Sequence, residues 1–326
     1  MNRQLKILIN YFVGPALFLL LSWSLYRQIS QQPDLGTRWE QIILSLNHWK
    51  LWAVIILMLV NWGIETKKWQ ILVGHVEAIS FWRSFKSVLS GCSVTMLTPN
   101  RIGEYGGRIL YVKKENRIKA VSLTLVGSIS QLLITMLMGS IGLLYLRYLS
   151  HNNSSAHAVL PEFWGDVLIY LSVGITLLLL LFYLRLGWLV RAMEKLPSLN
   201  KVVKHIRVLD EFSDENLLQI LSLSCIRYLV FVLQFVLILQ LMQVNIPPVL
   251  CFWLMSVFYL VMAVAPTIGF IDLPVRVSAS WVLLQWYTDN KIGVSTASLG
   301  IWLINLVIPA IIGSLLILNV KILKEK

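Results

Sequence analysis

The chain has 326 residues, 57% of them hydrophobic and only 13% charged, with a net charge of +12 and a mean hydropathy of +0.72. An average domain is about 45–50% apolar and about 25% charged, and a soluble fold must cover its surface with polar groups. This balance therefore excludes a soluble enzyme, a secreted disulfide scaffold and a disordered chain, and leaves a polytopic membrane protein.

Charge-free runs place the elements. Arg3 and Lys6 precede Ile7–Tyr26, which holds no charge. The run is longer than a signal-peptide core and no small-residue cleavage site follows, so it reads as an uncleaved first transmembrane helix. Leu51–Ile64 is the second span, with Glu65 at its end. Ser87–Asn100 is apolar for only 14 residues and closes on Thr98-Pro99, too short to cross a bilayer unaided. Ala120–Leu146 is the third span, and His151–His157 is a polar linker. Val167–Leu184 is the fourth.

Residues 185–215 form a connector in which Val202, Val203, Ile206, Leu209 and Phe212 recur at helical spacing, with Lys201, Lys204, His205 and Arg207 mostly on the other face. That pattern predicts a helix lying in the membrane interface. Ser213, followed by Asp214 and Glu215, is an N-cap for the fifth span, Leu217–Ile246, which only Arg227 interrupts. Pro247–Ala265 leads to Pro266, Gly269, Asp272 and Pro274, and a 12-residue apolar run, Val277–Thr288, follows. Ile292–Val320 is the last span.

The expected fold is an all-α polytopic membrane protein of about six full transmembrane helices plus two re-entrant or broken hairpins. The hairpins occupy residues 84–118 and 247–288. If the N-terminus is inside and each hairpin returns to the side it left, 21 of the 28 basic residues fall inside, Lys67, Lys68 and Arg108 among them, and 5 outside, with Arg227 and Arg276 within the membrane. This bias predicts cytoplasmic N- and C-termini in a bacterial-type cytoplasmic membrane. The order helix, helix, hairpin, helix then occurs twice, in residues 1–148 and 163–326, with opposite orientation and an external loop at 149–162.

The hairpin tips share a pattern. Pro99, Gly103, Glu104 and Arg108 in the first match Pro266, Gly269, Asp272 and Arg276 in the second. Inverted repeats with paired Gly/Pro-broken helices are the pointer to a transporter-like site. Charges at membrane depth are functional candidates. Arg101, Arg108 and Arg276 suit a lipid phosphate, while Glu104 and Asp272 stand four residues before an arginine, close enough to pair on one helical face. A structural ion pair at each tip is the competing reading. Gly103, Gly106 and Gly107 suit either an amide nest for phosphate or close helix packing. Arg227 needs an acidic partner, with Glu65, Glu104 and Asp272 as candidates, whereas Glu65 on its own reads as a helix-end charge beside Lys68.

Trp23, Trp39, Trp49, Trp164 and Trp188 fall near expected interfaces and read as belt anchors. Cys92, Cys225 and Cys251 lie in apolar runs without metal spacing, and no Walker A, HExxH or GxSxG motif occurs. No metal or cofactor is expected, and no nucleic acid: the net charge reads as basic loops beside anionic headgroups.

Three stretches resemble the lysylphosphatidylglycerol synthase transmembrane-region family: Thr98–Arg108 (TPNRIGEYGGR), Asn61–Gln70 (NWGIETKKWQ) and Pro266–Leu284, with Gly269, Asp272 and Arg276. The resemblance extends over essentially the whole chain. It implies a membrane domain that moves lipids between leaflets. The best-known members add a soluble aminoacyl-transferase domain; here the sequence stops six residues after Val320, so that domain is expected to be absent.

The function expected is a lipid flippase or transporter of an anionic phospholipid or lipid-linked anion, with Arg101, Gly103, Glu104, Gly107, Arg108, Asp272 and Arg276 at the headgroup and Glu65 and Arg227 as intramembrane partners. A membrane-embedded transferase using a lipid-linked donor and a non-catalytic assembly partner are the alternatives. The partners expected are membrane lipids, with homo-oligomerisation and a separate soluble or membrane enzyme left open.

Overall fold

A computed structural model of the protein describes residues 47–98, 102–152, 162–194, 206–265 and 272–318, together with parts of 19–45. The expected first span, Ile7–Tyr26, falls almost wholly outside the described residues, as do Pro99–Arg101, Pro266–Ile271 and residues 195–205 of the connector.

All regular structure among the described residues is helical. In chain order the helices are α1 (Leu35–Ser45), α2 (Trp49–Gly74), α3 (Phe81–Thr95), α4 (Gly103–Arg108), α5 (Arg117–Asn152), α6 (Glu162–Leu184), α7 (Leu186–Glu194), α8 (Asp214–Leu241), α9 (Pro248–Val264), α10 (Asp272–Leu284), α11 (Lys291–Trp302) and α12 (Ile308–Leu318). Among the described residues, five helical stretches are long and apolar enough to cross a membrane: Trp49–Gly74, Lys114–Asn152, Gly165–Leu184, Asp214–Leu241 and Lys291–Leu318. This is a multi-pass all-α membrane protein. Its outward faces agree: Tyr170, Leu171, Leu177, Leu178 and Leu181 of α6 are all exposed, as lipid-facing side chains are.

The helix starts follow local chemistry. Ser213 accepts a hydrogen bond from the Asn216 amide at 3.3 Å and caps α8, with Asp214 and Glu215 in the first turn. Ser80 caps α3 and Asn290 caps α11 in the same way. Pro248 opens α9, where its missing N–H costs no hydrogen bond.

The two short apolar regions form helical hairpins. α3 has 15 residues and packs on α4; α9 has 17 and packs on α10, which has 13. At about 1.5 Å per residue each leg is shorter than the ~30 Å hydrocarbon core. Of the connector, Val208, Leu209 and Phe212 are buried, and Phe212 stacks on His75 with ring centroids 4.2 Å apart. The segment Arg207–Glu211 is a short 3-10 turn. This part of the connector therefore packs its apolar side chains against protein.

Lys68 and Arg108 correct the count of basic loop residues: both are buried inside the helix bundle. Glu65 is likewise no helix-end charge, because α2 continues to Gly74.

The last span departs from a regular helix. Pro309 has no N–H to give the carbonyl four residues back, and its ring crowds that carbonyl. Residues Leu303–Val307 widen into a π turn, in which the Ile308 amide bonds to the Leu303 carbonyl. Beyond it α12 lies against α3 so closely that a methyl at Gly313 would overlap the Leu89 carbonyl.

Candidate functional site

Asn61, Glu65 and Lys68 stand on one face of α2, at spacings of four and three residues. That face turns into the bundle, where α4 brings Arg108 and α8 brings Arg227. Glu65 is the centre. Its carboxylate lies 3.0 Å from Lys68 Nζ, 2.5 Å from Arg108 Nη2 and 3.2 Å from Arg227 Nη1. Arg108 pairs also with Glu104, one turn earlier on α4. All but Glu104 are almost wholly shielded from solvent. Charges this deep persist only when paired and hydrogen-bonded.

Neutral groups complete the cluster. Arg227 donates through Nε to Asn61 Oδ1 at 2.9 Å and through Nη1 to Gln131 Oε1 at 3.3 Å. Lys68 donates to the Gly127 carbonyl and to Ser224 Oγ, both at 3.3 Å. The Arg108 guanidinium lies 5.2 Å from the Trp69 ring centroid, and that of Arg227 lies 5.0 Å from Phe231. Such faces attract a desolvated cation.

Beside the cluster is a cavity of about 510 Å³, lined by residues of both hairpins and of α2, α5, α8 and α11 with its π turn. The volume lies within the ~300–1,000 Å³ usual for a ligand site. Glu65, Lys68 and Arg227 line it, and so do Glu104 and Tyr105 of the first hairpin. Asp272 and Arg276 of the second hairpin line it as well. Here Asp272 Oδ2 accepts from Arg276 Nε at 2.8 Å and from Trp302 Nε1 at 3.0 Å. Asn305, within the π turn, also lines the cavity, and its Oδ1 accepts from Asn61 Nδ2 at 3.4 Å.

The expected site residues thus separate by place. Glu104, Asp272 and Arg276 share one cavity. Arg227 finds Glu65, one of its three candidate partners, and the pair joins the two halves of the chain. Arg108 stands behind the cavity wall, held by two carboxylates. Gly103 and Gly107 turn toward α3, where a methyl on either would overlap the backbone of Val94 or of Ser90 and Gly91. The Gly103 amide already donates to Thr98 Oγ1 at 2.7 Å. These two glycines pack helices together and do not line the cavity. Arg101 lies outside the described residues.

Sequence reasoning missed Trp62, Lys68, Gln131, Ser224, Trp302 and Asn305. For Trp62 and Lys68 a signal was present, because both lie with Asn61 and Glu65 in the Asn61–Gln70 stretch. The others come from elements far away in the chain, and no spacing marks them. Among the described residues no group of His, Cys, Asp and Glu has the makings of a metal site.

A family model described as the lysylphosphatidylglycerol synthase TM region matches residues 10–271. Neither a curated protein nor a solved structure matches the chain.

Proposed function

The chain belongs to the lysylphosphatidylglycerol synthase TM-region family, and on that premise we propose that it moves an anionic phospholipid or lipid-linked anion between leaflets, holding the phosphate in the cavity between the two hairpins. Membership makes it a membrane protein of lipid metabolism or transport. The observation that carries the finer reading is one cavity lined by Glu104 of the first hairpin and by the Asp272–Arg276 pair of the second.

Arg276 is the residue best suited to meet the phosphate. It lines the cavity, its side chain is 25% exposed, and it spends only Nε on Asp272, leaving the outer guanidinium nitrogens without a partner among the described residues. A guanidinium edge suits a phosphate geometrically. Asp272 and Trp302 hold this arginine in place. Arg227 and Lys68 line the same cavity and add positive potential to it, and Arg108, one layer back, fixes Glu104 and Glu65. Two hairpins of opposite orientation around one anion site would let either leaflet reach it in turn. The basic-residue bias supports cytoplasmic termini in a bacterial-type inner membrane.

The test is transbilayer movement in liposomes. Purified full chain is reconstituted with trace fluorescent phosphatidylglycerol, and an impermeant quencher reports label arriving from the inner leaflet. Protein-dependent loss of the protected signal is expected, slowed about tenfold or more in Arg276→Gln, which loses one charge-assisted contact. Unchanged rates in that variant would remove the hairpin site, and no protein-dependent loss would remove the transport reading.

A further inference from the structure

Two N–H groups beside the cavity have nothing to bond. Trp62 Nε1 and Asn305 Nδ2 are buried and lack a hydrogen-bond partner among the described residues, and both residues line the cavity, at 6% and 8% exposure. Nearly all buried donors in folded proteins are satisfied, and one left unmet carries its full desolvation cost. An indole N–H can only donate. Trp62 therefore needs an acceptor, however its neighbours are oriented.

For Asn305 a chain of hydrogen bonds decides which end of the amide is left over. A guanidinium has donors only, so Asn61 meets Arg227 Nε with its Oδ1, at 2.9 Å. Asn61 Nδ2 then donates to Asn305, which accepts through Oδ1 at 3.4 Å. The end without a partner is Nδ2, a donor. The guanidinium thus sets the polarity of an amide two hydrogen bonds away. It also lies 5.8 Å from the Trp62 ring centroid and steadies the indole. Asn305 is carried by the π turn, a departure from the α-helix that is frequent at functional sites.

Resting on the transport reading and deepening it, we infer that Trp62 and Asn305 are ligand-binding residues whose N–H groups receive oxygen atoms of the transported headgroup. The chemistry they require is a lone pair on oxygen, from the phosphate or from a hydroxyl on the rest of the headgroup. Arg276 meets the phosphate by charge, and these two neutral donors add direction. A ligand that presents only N–H or N-methyl groups at this place leaves both donors unmet. Entry of the right ligand relieves a cost that the empty protein carries. Removing the Trp62 N–H therefore weakens binding while breaking no hydrogen bond of the empty protein.

The experiment titrates the purified full chain in detergent with dihexanoyl phosphatidylglycerol and dihexanoyl phosphatidylmethanol, followed by calorimetry. Both are phosphodiesters of the same charge, and only the first has hydroxyls on its headgroup. In Trp62→Phe and in Asn305→Leu the affinity for phosphatidylglycerol is expected to fall about five- to tenfold, the loss of one hydrogen bond. An equal fall for phosphatidylmethanol places the N–H groups on the phosphate. A fall for phosphatidylglycerol alone places them on the glycerol hydroxyls. Trp302→Phe makes the same ring change but breaks a bond already present in the empty protein. Ligand-free Trp62→Phe is therefore expected to melt at a higher temperature than Trp302→Phe. Native affinity for both lipids in Trp62→Phe and Asn305→Leu overturns the inference. So does a ligand-free Trp62→Phe that melts no higher than Trp302→Phe, and so does a native chain that binds neither lipid. The liposome assay judges the transport reading separately. Label movement with native affinity in both variants leaves that reading standing without these residues. Binding that depends on them, without label movement, overturns transport and leaves the lipid site.

Discussion

The two hairpins carry the same string of residue types, proline, glycine, acid and arginine, and use it for opposite ends. In the first, Arg108 is clamped between Glu104 and Glu65, and Gly103 and Gly107 press α4 onto the backbone of α3. In the second, Arg276 has one carboxylate partner and a partly exposed guanidinium, and Trp302 from another helix steadies that carboxylate. A shared pattern fixes where a charge enters the membrane. What it does there depends on how many counter-charges surround it. Two carboxylates make an arginine a structural tie, and one leaves it a face to offer.

That contrast is open to direct attack. The largest effect is expected at Arg108→Ala. It strips a cation from two buried carboxylates, and losing one partner of a buried pair costs about 3–5 kcal/mol. The protein should lose most of its thermal stability in detergent, and a melting temperature equal to that of the native protein would show the clamp to be unimportant. Next comes Gly107→Ala. Its methyl overlaps Ser90 and Gly91, and overpacking of this kind costs about 1–3 kcal/mol. Thermal unfolding measures it, and unchanged stability would mean that α3 and α4 sit further apart than described.

Trp302→Phe keeps the ring but deletes the hydrogen bond to Asp272, with an expected loss of about 1.5–3 kcal/mol for a bond to a charged group. It also frees the Asp272–Arg276 pair to move, so transport should slow more than stability falls. Equal effects on both would make Trp302 a packing residue only. The smallest change in stability is expected for Arg276→Gln, because it strips a cation from one carboxylate and not two, and Trp302 still donates to that carboxylate. Its melting temperature should stay within a few degrees of native while transport drops. A large fall in stability would erase the distinction between the hairpins.

Much of this was legible in the chain itself. Charge-free runs located the spans because a bilayer admits few other solutions. The shortness of Ser87–Asn100 and the Pro266–Pro274 break announced the hairpins. The spacing of four between Glu104 and Arg108, and between Asp272 and Arg276, announced both ion pairs. Glu65 could be read both as a partner for Arg227 and as a helix-end charge, because Lys67 and Lys68 follow it and adjacent lysines look like the end of a span. Only Lys67 bears that out: it is exposed, while Lys68, one residue and about 100° further round the helix, faces the core. The contributions of Gln131, Ser224 and Asn305 depend on which helix faces which, and periodicity within one helix carries no such information.

The π turn at Leu303–Val307 has a consequence for the last span as a whole. One additional residue in a turn shifts the phase of everything downstream by about 100°. The stretch before it presents Trp302 to Asp272, and the stretch after it presents Gly313 to the Leu89 carbonyl. The two faces belong to different angular frames, joined by a single extra step. Replacing Pro309 with a residue that allows the helix to regularise would swing one frame against the other, as a thread is lost when a screw skips. Loosening would then appear at both the cavity and the α3 contact, although Pro309 is itself only a bend in the backbone between them.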